Sequence, residues 1–200
     1  MVTQKIIDDL KAPCLKFVLE NKLIKNNLNG EIANIINDVF GSSDKVNITF
    51  SEENNPSHQY PAITTGYPPS NGIFNTTTTL NLAQIGEGSQ EYKTIVMVHE
   101  VLHAYMDYNN QYFGNQLKQH KEIAQKYVND IKIFVQGLYP TLKDNDAYAI
   151  ILNGIGDIYG NDLNNPAYVA LRNSYSVTDF SGTFLLQKDG VTGTPCTPAQ

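Results

Sequence analysis

One stretch of this chain constrains it more than any other: EYKTIVMVHEVLHAYMDY, residues 91–108. Ile95, Val96, Met97, Val98, Val101, Leu102, Ala104 and Tyr105 fall on almost every face of a helix, so the spacing predicts a helix that is buried nearly all round. Into that helix the sequence sets His99, Glu100 and His103. Residues i and i+4 share a helical face, so both imidazoles can reach one metal ion. Glu100 sits beside the first histidine, where its carboxylate can reach a water at that ion. Burying three ionisable groups is costly unless something compensates, and a metal would compensate. The competing reading is a chance match with two merely packed histidines. Between Val96 and Tyr105 there is no proline, and no charge besides the motif itself, which favours the metal.

A catalytic zinc takes three protein ligands and keeps a fourth position open. His120, at the start of the next predicted helix, is the first choice for the third ligand, because a chain reversal can return it to the ion. Glu122 is the carboxylate alternative, and Asp107 ranks behind both. The metzincin extension needs Gly and His where this chain has Met106 and Asn109, so that form is excluded. His58 lies in a proline-flanked loop, with at most a substrate contact. Asp157, in the GIGDIYG loop, either caps a turn, the favoured reading, or orients a ligand histidine. A donor to a developing oxyanion is sought among twelve tyrosines, with Tyr127, Tyr148 and Tyr159 as candidates.

Around the motif helix the patterning predicts an α+β domain, a small mixed or antiparallel sheet on a largely helical body. Helices are expected over 4–21, interrupted or reset at Pro13, and over 30–40. Strands are expected over 45–51 and 73–83. The second is threonine-rich and suits a partly exposed edge on which an extended substrate could pair. Residues 54–71, with four prolines, read mostly as loop. Further helices are expected over 119–138, 143–152 and 166–175, and 154–162 as a glycine-rich loop. The chain divides as one domain, 1–200, into N-terminal helices (1–42), a sheet region (43–90), active-site helices (91–178) and a tail (179–200).

The net charge of −6 and pI near 5.1 leave no basic face for nucleic acid. No run approaches the roughly 20 apolar residues that span a bilayer. The opening MVTQKIIDDL has acidic residues and no long apolar run, unlike a signal peptide. That leaves a cytoplasmic protein or the C-terminal domain of an exported one. Cys14 and Cys196 are either unrelated thiols or a disulfide tying the tail to the first helix, which would require an oxidising compartment.

The run EYKTIVMVHEVLHAYM followed by QHKEIAQKYV resembles SprT-like minimal zincins. It is most similar to zincin-like domains at the C-terminal ends of large exported proteins and predicted toxins of Bacteroidetes-type bacteria. The opening LKAPCLKFVLE is similar to the Pro-Cys helix of such domains, and the threonine-rich strand before the motif helix fits as well. The resemblance implies a zincin fold and one zinc ion held by His99, His103 and His120, with Glu100 as catalytic base. The chain lacks a zinc-ribbon cysteine cluster and a basic surface, so the DNA-associated role of some SprT-like proteins is not carried over. The expected activity is a zinc metallopeptidase acting on a peptide or protein. The alternatives are an inactive zincin-fold binding module of a larger exported protein, which the intact Glu100 disfavours, and a hydrolase of non-peptide amides.

Overall fold

Parallel strands cannot be joined by a tight hairpin, so a mixed sheet demands crossovers; this chain builds the first from helices and the second from a loop that carries the third strand. The computed structural model describes residues 6–196. Its four strands are β1 (Ile6–Asp8), β2 (Val46–Glu53), β3 (Ala62–Gly66) and β4 (Phe74–Asn81), in the sheet order β1-β2-β4-β3. The first three in that order run parallel, and β3 returns antiparallel on β4. Two helical segments make the crossover from β1 to β2. One is α1 (Pro13–Val18), which widens into a π-helical continuation, Leu19–Ile24. The other is α2 (Glu31–Asn34), which continues in the same way through Ile35–Gly41. Pro13 opens α1 at a position where its missing N–H costs nothing.

Side chains alternate along the strands. Val46, Ile48 and Phe50 of β2, and Phe74, Thr76, Thr78 and Leu80 of β4, are buried, while Asn75 and Thr77 face solvent. A short α3 (Leu82–Ile85) leads to α4 (Gln90–Asn110), the motif helix. Ser89 caps α4, accepting from the Tyr92 N–H at 3.0 Å. Met97, Val98, Leu102, Ala104 and Met106 are wholly buried, as the all-round apolar pattern predicts. After α4 come α5 (Gln116–Glu122) with a π-helical continuation, Ile123–Tyr127, then α6 (Val128–Leu138) and α7 (Asp144–Asn153). A 3-10 turn, Gly156–Tyr159, precedes α8 (Pro166–Ser174) and α9 (Phe180–Lys188). Among the described residues no helix is long and apolar enough to cross a membrane.

The α+β expectation holds, with a mixed sheet; several boundaries do not. Ile6 and Ile7 belong to β1 rather than to a first helix, because they pair with Ile48 and Thr49 of β2. The expected helix start at Gln4 lies outside the described residues. Residues 54–71 contain a strand, β3, where loop was expected. β4 is an interior strand, paired on both sides, so it offers no edge to a substrate. The region read as a tail carries α9 and then folds back along the start of α4. The Ser89 hydroxyl donates to Gln187 Oε1 at 2.6 Å, and the Thr194 N–H and hydroxyl donate to the Glu91 carboxylate at 2.8 and 2.6 Å. Cys14 and Cys196 form a disulfide, which decides between the two readings of the cysteines.

Two predictions follow from this packing. The disulfide joins residues 182 positions apart, and closing so long a loop removes up to about 5 kcal/mol of unfolded-state entropy. The variant Cys14→Ser/Cys196→Ser is therefore expected to keep its far-UV circular dichroism while its thermal midpoint falls by roughly 5–15 °C. Burial also pushes the Lys93 ammonium down to about 8, with Glu87 acting weakly in the opposite direction. Its amine donates to the carbonyls of Gly86, at 3.0 Å, and Gly88. An unfolded lysine titrates near 10.5, so between those pH values the unfolded chain holds more protons, and the Lys93 contribution to stability rises with pH. Urea unfolding at pH 7.5 and 9.5 should show that rise in the wild type, and Lys93→Met should remove it.

Candidate metal centre

Helix α4 presents His99 and His103 on one face, and the chain then reverses through Gln111, which adopts a left-handed conformation (φ 54°), into α5. The reversal brings His120 back against them. The three Nε2 atoms lie 2.9 Å (His99–His103), 3.1 Å (His99–His120) and 3.1 Å (His103–His120) apart. A tetrahedral zinc site with bonds of about 2.0–2.1 Å has edges of about 3.3–3.4 Å, so the spacing lies close to that of three corners of such a site.

The other ring nitrogens decide what those Nε2 atoms are. His120 Nδ1 donates to Asp157 Oδ1 at 2.6 Å. His103 Nδ1 donates to Gln119 Oε1 at 2.7 Å, while the Gln119 amide nitrogen donates to Asp107 Oδ1 at 2.6 Å. A neutral imidazole carries one N–H, so with Nδ1 protonated both Nε2 atoms are bare acceptors. At least two lone pairs therefore meet in a largely buried space, and a single proton on His99 could serve only one of them. A cation satisfies all three, and the donor set of three imidazoles suits zinc among other transition metals.

Burial keeps His99 and His103 in the neutral form. Burial pushes His99 well below the ordinary histidine value, with His103 and His120 adding to the effect. Burial and the nearby His120 likewise push His103 down to about 3, against the hydrogen bond with Gln119. Burial lifts Glu100 to about 7, opposed by hydrogen bonds from Thr64. The carboxyl is 5 % exposed, and its Oε2 has no hydrogen-bond partner among the described residues. Burial also raises Asp107 to about 6, with Gln119 opposing.

The triad and Glu100 line one cavity of about 450 Å³. Tyr92, Ile95, Val96, Ile150, Ile151 and Phe184 form its apolar wall, and residues 59–62 form the rim leading into β3. A second cavity, of about 360 Å³, runs along residues 63–68 and also touches His103. Thr64 ties β3 to the motif helix, its hydroxyl lying 3.3 Å from the Glu100 carbonyl and 2.7 Å from the Thr78 hydroxyl. The Asn81 N–H donates to the Pro61 carbonyl at 2.8 Å. By the alternation of antiparallel pairing, the backbone groups of Pro61, Ile63 and Thr65 face β4, and those of Ala62, Thr64 and Gly66 face outward.

His99, Glu100, His103 and His120 thus come together as one group. Glu122 lies two residues beyond His120 and bonds to Lys126 at 3.0 Å; it is not among the cavity-lining residues. Asp107 contacts Gln119 rather than the triad. Tyr127 and Tyr148 are buried, Tyr148 donates to Asn129 Oδ1 at 2.8 Å, and Tyr159 stacks on Tyr168; none of the three lines the cavity, whereas Tyr60 and Tyr92 do. His58 pairs with Glu53 at 2.8 Å, outside both cavities. Asp157 corrects the favoured sequence reading: it holds a histidine. Its loop comes close enough that a Cβ on Gly154 would lie 3.3 Å from the His99 ring. Gln119 and Thr64 were not anticipated. Gln119 is marked only by its place beside His120, and Thr64 by the alternation in the short run AITTG.

Comparison with known proteins found no matching family model, no matching curated protein and no matching solved structure.

The geometry predicts one zinc ion bound per chain, read by mass spectrometry of the purified protein and by competition with a chromogenic chelator. His99→Ala, His103→Ala and His120→Ala should each abolish stoichiometric binding. Asp157→Asn should weaken it by roughly 10–100-fold, the usual cost of losing a carboxylate that orients a ligand histidine.

Proposed function

We propose that this chain is a zinc-dependent peptidase of the zincin type, with His99, His103 and His120 holding the ion and Glu100 acting as general base. The observation that carries this reading is a single cavity holding bare Nε2 atoms together with a buried carboxyl oxygen that has no partner among the described residues. When bound, zinc supplies a Lewis acid that polarises a carbonyl and brings the pKa of a water to about 7. Glu100 accepts the proton of the attacking water at Oε2 and passes it to the leaving amine. A carboxyl lifted to about 7 is suited to both halves of that exchange. Asp157 and Gln119 hold two of the imidazoles in the tautomer that leaves Nε2 available.

The outward-facing backbone groups of Ala62 and Gly66, which flank a Thr64 whose own backbone hydrogen-bonds to Glu100, support an extended polypeptide as substrate, paired along the open edge of β3. The apolar wall of the larger cavity favours a bulky hydrophobic side chain next to the scissile bond. The Cys14–Cys196 disulfide supports an oxidising compartment, and with it the reading of a domain from an exported protein.

The test is cleavage of casein and of fluorogenic peptides that differ only in the residue flanking the scissile bond. Zinc-loaded wild type should prefer Phe or Leu over Asp there, and chelation should stop the reaction until zinc is returned. Glu100→Gln should bind zinc as well as wild type and lose at least about 100-fold in kcat/KM. Cleavage untouched by Glu100→Gln would remove the mechanism, and stoichiometric zinc without cleavage of any substrate would favour a binding module.

A further inference from the structure

His103 is a competent ligand only while its proton sits on Nδ1, and the atom that receives that proton belongs to an amide. A glutamine amide has nearly the same shape in either orientation, so something beyond it must choose which end faces the histidine. Here the Gln119 amide nitrogen reaches Asp107 Oδ1 at 2.6 Å, and its oxygen reaches His103 Nδ1 at 2.7 Å. All three side chains are buried: Asp107 is 2 %, Gln119 3 % and His103 5 % exposed. A carboxylate only accepts, so it takes the NH2 end and leaves the oxygen for His103. The reverse orientation would set the amide oxygen against the carboxylate. It would also turn an N–H towards His103 Nδ1, driving the proton to Nε2, where no lone pair would remain for a metal. The carboxylate itself is held where β3 has no side chain, since a Cβ on Gly66 would lie 2.8 Å from Asp107 Oδ2 and 2.9 Å from the Phe74 ring.

We infer that Asp107 and Gln119 are positioning residues that act as a relay, the carboxylate fixing the amide and the amide fixing the tautomer of His103. The inference rests on the metal site proposed above, but the relay can be read without any metal. Asp107 is a full helical turn beyond His103 on α4, and Gln119 is on α5 next to His120. The relay therefore also couples the two helices that carry the ligands.

The experiment is nitrogen-15 NMR of histidine-labelled, metal-free protein, with zinc affinity measured separately. Wild type should show His103 protonated on Nδ1. Asp107→Asn replaces an acceptor with a group that can point either way, so the tautomers should mix and zinc affinity should fall roughly tenfold. The exchange Asp107→Asn/Gln119→Glu puts the obligatory acceptor next to His103 and a donor behind it; it should restore the Nδ1 tautomer and bring zinc affinity back to within about threefold of wild type, far inside the range lost with an orienting partner. If Asp107→Asn does not fold, Gln119→Leu takes its place in the same measurement. An Nε2-protonated His103 in wild type, an unchanged tautomer in the single variant, or an exchange variant no better than the single one would overturn the relay. A wild type that binds no zinc yet shows the predicted tautomers would instead count against the peptidase reading and leave the relay standing.

Discussion

Three imidazoles and a carboxyl cannot be packed together in an apolar interior unless their polar atoms find partners, and most of this fold's polar architecture is organised around that requirement. Helix α4 carries two of the imidazoles in a setting that burial alone would make hostile. Asp157 on the 3-10 turn and Gln119 on α5 absorb the outer protons of His120 and His103. Thr64 on β3 supplies hydrogen bonds to Glu100. What is left over, after every available protein partner has been used, is a set of lone pairs pointing at one another and one carboxyl oxygen with no partner among the described residues. That residue of unsatisfied groups is the strongest physical argument for a ligand, because a fold that needed only to be stable would place leucines there.

The sheet has a parallel logic. β4 is hydrogen-bonded on both sides and serves as a foundation, whereas β3 has one neighbour and stands over the motif helix. An uncovered edge is normally a liability. Here it is only five residues long, ends in Gly66, and is fronted by two cavities that both reach His103. An edge that is short and paired with concave surface on its open side is better suited to receiving one extended chain than to uncontrolled sheet growth.

The parts legible in the sequence were those that depend on local periodicity. The i, i+4 histidines on an all-round apolar helix were readable because helical geometry alone puts them on one face. The approach of His120 to His99 and His103 is readable because a chain reversal is expected between two strong helices. The parts that were not legible depend on pairing between distant segments. Ile6 and Ile7 carry no local signal that distinguishes a three-residue strand from a helix start; only β2 makes them a strand. β3 was hidden by the prolines around it, since Pro56, Pro61, Pro68 and Pro69 mark loops by their own chemistry while leaving Ala62–Gly66 free to pair. The sequence places the edge at the longer, more β-prone strand because propensity says nothing about which strand lies outermost. Asp157 reads locally as a turn cap because that is what an Asp among glycines commonly does. Its contact with His120 spans 37 positions, beyond the reach of any local pattern.

The end of the described chain shows how far the site extends from its motif. Phe184 of α9 forms part of the apolar wall of the cavity. Gln187 of α9 bonds to Ser89, the segment that follows α9 bonds to Gln90 and Glu91 at the start of the motif helix, and Cys196 then closes on Cys14 in the first helix. The N-terminus of α4 is thus capped twice, once by its own Ser89 and once by the returning chain. A helix end held in this way resists fraying, which helps fix the register of His99 and His103 against β3 and α5. The tail is in that sense a structural part of the candidate metal centre, even though none of its described residues touches the imidazoles' converging nitrogens.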